Sequence, residues 1–209
     1  MFVGMAKTPE RSDLPFVKDE LKAIRDLIPS TNVNLQDFKN PTKERIMQAL
    51  SHCQFVHFAC HGQSDFNPSK GALLLEDWRR APLTVNDIVS LRIPNSRFAY
   101  LSACHTAAKT TDVLLLDESI NLVSAMQLAG FPSVIGSLWQ VEDQPLADIA
   151  KGVYKAMLSG GDKFNNERSA EGLHHELRIL REQTCIIGGS ESKARNDPIV
   201  WAPYIHVGI

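Results

Sequence analysis

The sequence is poor in the features that mark specialised classes. Its four cysteines, Cys53, Cys60, Cys104 and Cys185, have no paired spacing, so neither a disulfide framework nor a C-x-x-C redox or metal motif is written into the chain. No apolar run approaches the ~18 residues that a membrane span requires. No charged leader followed by an apolar stretch opens the chain, and together these absences set the expectation of a cytoplasmic protein without membrane association. The formal charge of -2 supplies no basic field for nucleic acid, and no internal repeat is visible. What is present is ordinary: 209 residues, 44% hydrophobic and 22% charged, a mixture that excludes disordered, collagen-like and coiled-coil chains. A chain of this length predicts one domain burying roughly 70% of its unfolded surface.

Apolar periodicity alternates along the chain. Phe2 to Met5 reads as a strand stub whose beginning looks clipped, as though the chain ended something longer. Val17, Leu21, Ile24, Leu27 and Ile28 then mark one face of a helix. Asn40 before Pro41 reads as the cap of a short helix reaching Leu50. The run from Gln54 to Cys60 is apolar on both alternating faces and is expected to stop at His61-Gly62, as a strand covered by helices on both sides should. Gly71 to Leu75 is a second short run, and Thr84 with Asp87 three residues on resembles a capping box opening a helix through Leu91. Phe98 to Ala103 and Val134 to Trp139 read as further buried strands, with a helix from about Ser119 to Ala129 between them and Gly130 as its cap. A long helix follows Asp143, a weaker one spans Ala170 to Arg181, and a Gly/Ser/Lys-rich stretch covers 188–197. Ile199 to Val207 closes as a strand whose Pro203 confines it to an edge or a bulge. Strands alternating with helices predict an α/β sandwich.

In open parallel sheets, reactive groups gather beyond the carboxyl ends of the strands. His61 and Cys104 both fall there. If their strands are neighbours, about 4.8 Å apart, an imidazole and a thiol at the strand ends approach within working distance. A free thiol is only a few per cent thiolate at neutral pH, so a cysteine nucleophile gains from an adjacent imidazole. The reaction class would be acyl transfer, with the backbone amides of Gly62 and Cys104 holding the oxyanion. On residue type alone, a buried structural cysteine and histidine explain the same positions. Cys53, Cys60 and the nearby histidines form no metal-ligand pair with closing partners, and neither metal nor cofactor is expected. His57 reads as a core histidine, His105 as a polar loop residue, and Cys185 as a structural thiol.

These residues carry a resemblance. His57-Phe58-Ala59-Cys60-His61-Gly62, followed by Leu101-Ser102-Ala103-Cys104-His105-Thr106-Ala107, resembles the CHAT domain family, in the clan of caspases, separase and metacaspases. The similarity continues through Leu128 to Val134, Gly136 to Asp143, and Trp201 to Tyr204, covering nearly the whole chain as a single domain, 1–209. It implies a caspase-like α/β sandwich with a mostly parallel central sheet flanked by helices. It also implies a cysteine endopeptidase with His61 as general base and Cys104 as nucleophile, performing limited proteolysis of a protein partner in a regulated signalling or cell-death-like pathway. Related CHAT domains follow tetratricopeptide or nucleotide-binding regulatory regions, consistent with the C-terminal part of a larger protein or a stand-alone derivative.

Asp143 has two readings. As the residue before Gln144-Pro145 and a long helix it is a natural N-cap. In separase-like relatives an acidic residue after the Leu-Trp strand lines the pocket for the residue before the scissile bond, which implies cleavage after Arg or Lys; Glu142 is the weaker candidate. Asp117 and Glu118 read as first-turn charges of a helix. Two other classes stay open: a catalytically silent CHAT scaffold for protein interaction, and a glutaminase-like hydrolase. The latter needs a G-x-C-x-G elbow, which Ser102 to Thr106 lacks.

Overall fold

The computed structural model describes residues 1–28, 34–63, 65, 67–105, 118–137, 143–160, 164–186 and 201–209, with the description confined to the backbone at Cys104, His105, Asp143 and Cys185 among others. The elements in chain order are β1 (Phe2–Gly4), α1 (Val17–Leu27), β2 (Asp37–Lys39), α2 (Lys43–Leu50), β3 (Phe55–Gln63), β4 (Ala72–Leu74), β5 (Leu83–Thr84), α3 (Val85–Ser90), β6 (Phe98–His105), α4 (Glu118–Ala129), β7 (Ser133–Ser137), α5 (Asp143–Leu158), α6 (Ser169–Ile186) and β8 (Tyr204–Gly208). The main path of the sheet runs β2-β1-β3-β6-β7-β8, with β4 and β5 branching from β3. The pairs from β2 to β7 along this path are parallel and β8 closes it antiparallel.

The double-sided apolar character of the central strands has a direct cause. In β3, Val56, Phe58 and Cys60 pack into one core with Ile46 and Leu50 of α2, Ile88 of α3 and Val123 and Met126 of α4. Ala59 joins the opposite core, with Leu21 and Ile24 of α1, Ile149 and Val153 of α5 and Leu173 of α6. β6 divides in the same way, Ala99 and Leu101 going to the first core, Phe98 and Tyr100 to the second. Because successive strand residues face opposite sides, a strand between two helical layers has no polar face to show.

Several element ends differ from the periodicity. β3 continues through His61 and Gly62 to Gln63 because the short β4 pairs antiparallel with that end, matching His61 to Leu74 and Gln63 to Ala72. α2 starts two residues after Pro41, with Thr42 at its cap, and Asn40 instead takes φ +47, a left-handed conformation that asparagine tolerates better than most residues. The Thr84/Asp87 capping box is present with both bonds formed. Gly130 ends α4 at φ +126, where a Cβ would stand 2.6 Å from the carbonyl oxygen of Ile93. The last strand begins only at Tyr204, after a turn containing Pro203, so proline stays out of the ladder it cannot donate to. The expected strand residues 138 and 139, the stretch 188–197 and Ile199 lie outside the described residues.

β8 is tied down by polar groups as well as by the ladder. Nε2 of His206 lies 2.9 Å from Oγ of Ser133 and 3.2 Å from Oγ of Ser169, joining β8, β7 and α6. Burial holds the His206 imidazolium below its ordinary pKa of 6.5, and the neutral ring accepts a serine proton at Nε2. A histidine with a depressed folded pKa adds stability that is present above the unfolded value and lost as pH falls through the folded one. Denaturation midpoints should therefore decrease as pH drops below about 6.5, and His206→Asn should remove that component of the pH dependence while leaving the midpoint above neutrality less affected.

Candidate active site

The site lies at the carboxyl ends of β3 and β6. Their parallel register matches His57 to Tyr100, Ala59 to Ser102 and His61 to Cys104, so residues 61 and 104 lie side by side on neighbouring strands, about 4.8 Å apart. The adjacency expected from the sequence is present at the level of the backbone. Gly62 follows at the register position of His105.

The His61 ring is buried, 1% exposed, and its two nitrogens have different surroundings. Nε2 is 2.8 Å from the carbonyl oxygen of Ser12. A carbonyl only accepts, so Nε2 carries a proton and donates it. In the neutral ring that leaves the lone pair on Nδ1, which is buried and has no hydrogen-bond partner among the described residues. Withholding a partner from a buried polar atom costs about 1–3 kcal/mol. An imidazole with one nitrogen fixed as a donor and the other kept bare is arranged to accept a proton. Ser12 was invisible to sequence reasoning because it acts through its backbone; the only signal is its place in the connection between β1 and α1, at the carboxyl end of a parallel strand.

One step down the strands lies a buried polar cluster. Glu20 of α1 is 3% exposed; its Oε1 is 3.1 Å from Nε2 of His57, and its Oε2 accepts from Oγ of Ser102 at 3.1 Å. Nδ1 of His57 lies 3.3 Å from the Tyr154 hydroxyl, and the ring stacks on Tyr100 at 4.8 Å with an interplanar angle of 9°. Burial pushes both Tyr100 and Tyr154 well above the usual phenol range, so both stay neutral. His57 is thus the core histidine the sequence suggested, with a carboxylate the sequence reading passed over. The signal was there: Val17, Glu20, Leu21 and Ile24 share the buried stripe of α1, and an acid at helical spacing on an apolar face needs a buried partner. Its position in the first turn favours the negative charge through the helix dipole.

The remaining thiols with described side chains are placed for packing. Cys60 is fully buried in the core under α2 and α4, and Cys53 donates its thiol to the Phe55 carbonyl at 2.9 Å while burial pushes its pKa up. Among the described residues, no three His, Cys, Asp or Glu side chains gather as metal ligands. Asp143 is the first residue of α5 and Glu118 the first of α4; Asp117 and Glu142 lie outside the described residues. No helix among the described residues is long and apolar enough to cross a membrane.

A parallel sheet in the order β2-β1-β3-β6-β7, sandwiched between helices and carrying a histidine at the end of its central strand, defines a caspase-like fold. The CHAT domain model matches residues 1–209, and the chain belongs to the CHAT domain family. Among solved structures it is similar to separase in the Saccharomyces cerevisiae separase-securin complex, with a TM-score of 0.58 at 16% identity over 100% of this chain and 12% of that one. It is also similar to the Arg-specific cysteine proteinase gingipain R, with a TM-score of 0.50 at 12% identity over 99% of this chain and 44% of that one. The complex of the pro- and mature domains of the Porphyromonas gingivalis enzyme gives 0.51 at 9% identity. The chain therefore spans less than half the length of these proteins, and at these identities the likeness is one of fold. No curated protein matches the sequence.

Removing the Glu20 carboxylate leaves His57 and Ser102 buried without their acceptor, an orphaning worth about 2–5 kcal/mol. Glu20→Ala should lower the urea midpoint by that amount with an unchanged slope, and Glu20→Gln, which keeps an acceptor oxygen, should lower it less.

Proposed function

We propose that this CHAT domain is a cysteine endopeptidase in which His61 is the general base and Cys104 the nucleophile. The observation that carries the reading is the pairing of His61 with Cys104 in the β3–β6 register, joined to a His61 ring whose Nε2–H is committed to Ser12 and whose Nδ1 has no partner among the described residues. Nδ1 accepts the thiol proton, and the thiolate forms a bond to the scissile carbonyl carbon. The resulting oxyanion is held by the backbone N–H groups of Gly62 and Cys104. The imidazolium then returns its proton to the departing amine as the C–N bond breaks, and a water activated by the same nitrogen hydrolyses the thioester. The Ser12 carbonyl serves both states, since it accepts from Nε2–H whether the ring is neutral or charged.

A preference for cleavage after Arg or Lys, with Asp143 and secondarily Glu142 facing the cation, is the finer part of the proposal. The Arg specificity of gingipain R is consistent with a basic residue at that position, and the separase neighbour bound to securin supports a protein as substrate or partner. In this reading the domain works in the cytoplasm, in limited rather than digestive proteolysis, under control of tetratricopeptide or nucleotide-binding regions as the C-terminal unit of a larger protein.

An acyloxymethyl ketone peptide probe should label the protein at Cys104, as read by peptide mapping. Cys104→Ala should abolish the label, and His61→Ala should slow labelling by about 10²–10⁴. Labelling that survives Cys104→Ala refutes the assignment; none in any variant or condition favours the silent scaffold. Among probes differing only in the residue before the warhead, those with Arg or Lys should react fastest, and Asp143→Ala should erase that preference without abolishing reaction.

A further inference from the structure

The proposed base depends on a carbonyl carried by a surface connection, residues 5–16, and that connection must be held still. Its ends are tied by backbone bonds, Met5 N–H to Ala59 at 2.9 Å and Leu14 N–H to Ala6 at 2.9 Å. Side chains hold its middle. Nη2 of Arg11 donates to Oε1 of Gln63 at 2.7 Å, and the guanidinium lies over the Trp78 indole with its carbon 4.9 Å from the ring centroid. Trp78 in turn donates Nε1–H to the Pro9 carbonyl at 3.0 Å. Arg79 also packs on the indole, 5.3 Å from the ring centroid, and pairs with Glu10.

The geometry of attachment is specific. Gln63 lies two residues beyond His61 on β3, the spacing at which strand side chains share a face, and Arg11 immediately precedes Ser12. Two consecutive loop residues are thus fastened to two alternate strand residues, Ser12 to His61 and Arg11 to Gln63. Arg11 also surrenders hydration to do so, its Nε being buried with no partner among the described residues. A lysine would form the single bond to Gln63 but could not lay a planar cation on the indole.

Resting on the peptidase reading above, we propose that Arg11, clamped between Trp78 and Gln63, is the positioning residue that keeps the Ser12 carbonyl on Nε2 of His61. Without the clamp the carbonyl loses its fixed position and the neutral ring exchanges tautomers. A ring protonated on Nδ1 has no lone pair to offer the thiol.

The test needs no identified substrate. The rate of Cys104 alkylation by iodoacetamide, followed by mass spectrometry of the Cys104 peptide from about pH 5 to about pH 9, reports the thiolate fraction. His61→Ala should alkylate slowly at neutral pH. Arg11→Ala and Gln63→Ala should each slow the neutral rate about tenfold and shift the profile toward higher pH. The double variant should be no slower than either single one, because both changes open the same clamp. Arg11→Lys should recover part of the rate, and Lys7→Ala, in an exposed pair with Asp13 in the same connection, should match the wild type. Folded Arg11→Ala and Gln63→Ala proteins with the wild-type profile, beside a slow His61→Ala, would overturn the clamp alone. A wild-type profile in His61→Ala would overturn the base and the clamp together.

Discussion

Parallel pairing of β3 with β6, running unbroken from Phe55↔Phe98 to Gly62↔His105, is the constraint from which the site follows. A shift of one residue in either strand would send its alternating residues to the opposite helical layer. Phe58 and Leu101 would then leave the core under α2 and α4, and Tyr100 would leave the one under α1 and α5. The two hydrophobic layers fix the register, and the register sets position 104 beside position 61. Precision at the reactive end is inherited from burial along the rest of the strands, where an apolar residue contributes roughly 1.5–3 kcal/mol when fully covered.

A gradient of polarity runs along the same strand face. Glu20, His57, Ser102 and Tyr154 are drawn into one hydrogen-bonded cluster closed off from water. Four residues beyond His57, His61 has one nitrogen bonded and the other without a partner among the described residues. The lower cluster links β3 and β6 to α1 through the Glu20 carboxylate. Buried polar groups are tolerated when fully satisfied, and an unsatisfied one at the end of a strand, where the connections diverge, is where chemistry is expected.

Much of this was legible in the sequence for physical reasons. Strands buried on both faces have no alternation to misread, so β3, β6 and β7 were visible as unbroken apolar runs, and the Thr84/Asp87 box fixed the start of α3 locally. The ends of the two runs placed His61 and Cys104 at one rim of the sheet, and the β3–β6 pairing makes them neighbours. What escaped was whatever depends on distant chain: β2, a three-residue strand with only Phe38 buried; the last residues of β3, which extend because the end of β6 and the returning β4 pair with them; and the Ser12 carbonyl and Arg11 clamp, which have no signature in residue type. Glu20 stood in plain view on an apolar helical stripe, and only the acceptor-needing histidine across the core gives it meaning.

The central claim is that the His61 imidazole is held with its proton on Nε2 and its lone pair on Nδ1. Nitrogen-15 NMR of protein labelled at histidine reads this directly, because protonated and bare ring nitrogens resonate far apart. At neutral pH His61 should give a protonated Nε2 and a bare Nδ1, and Cys104→Ala should perturb the Nδ1 resonance alone. A proton found on Nδ1, or a His61 spectrum blind to the loss of the thiol, would contradict the account.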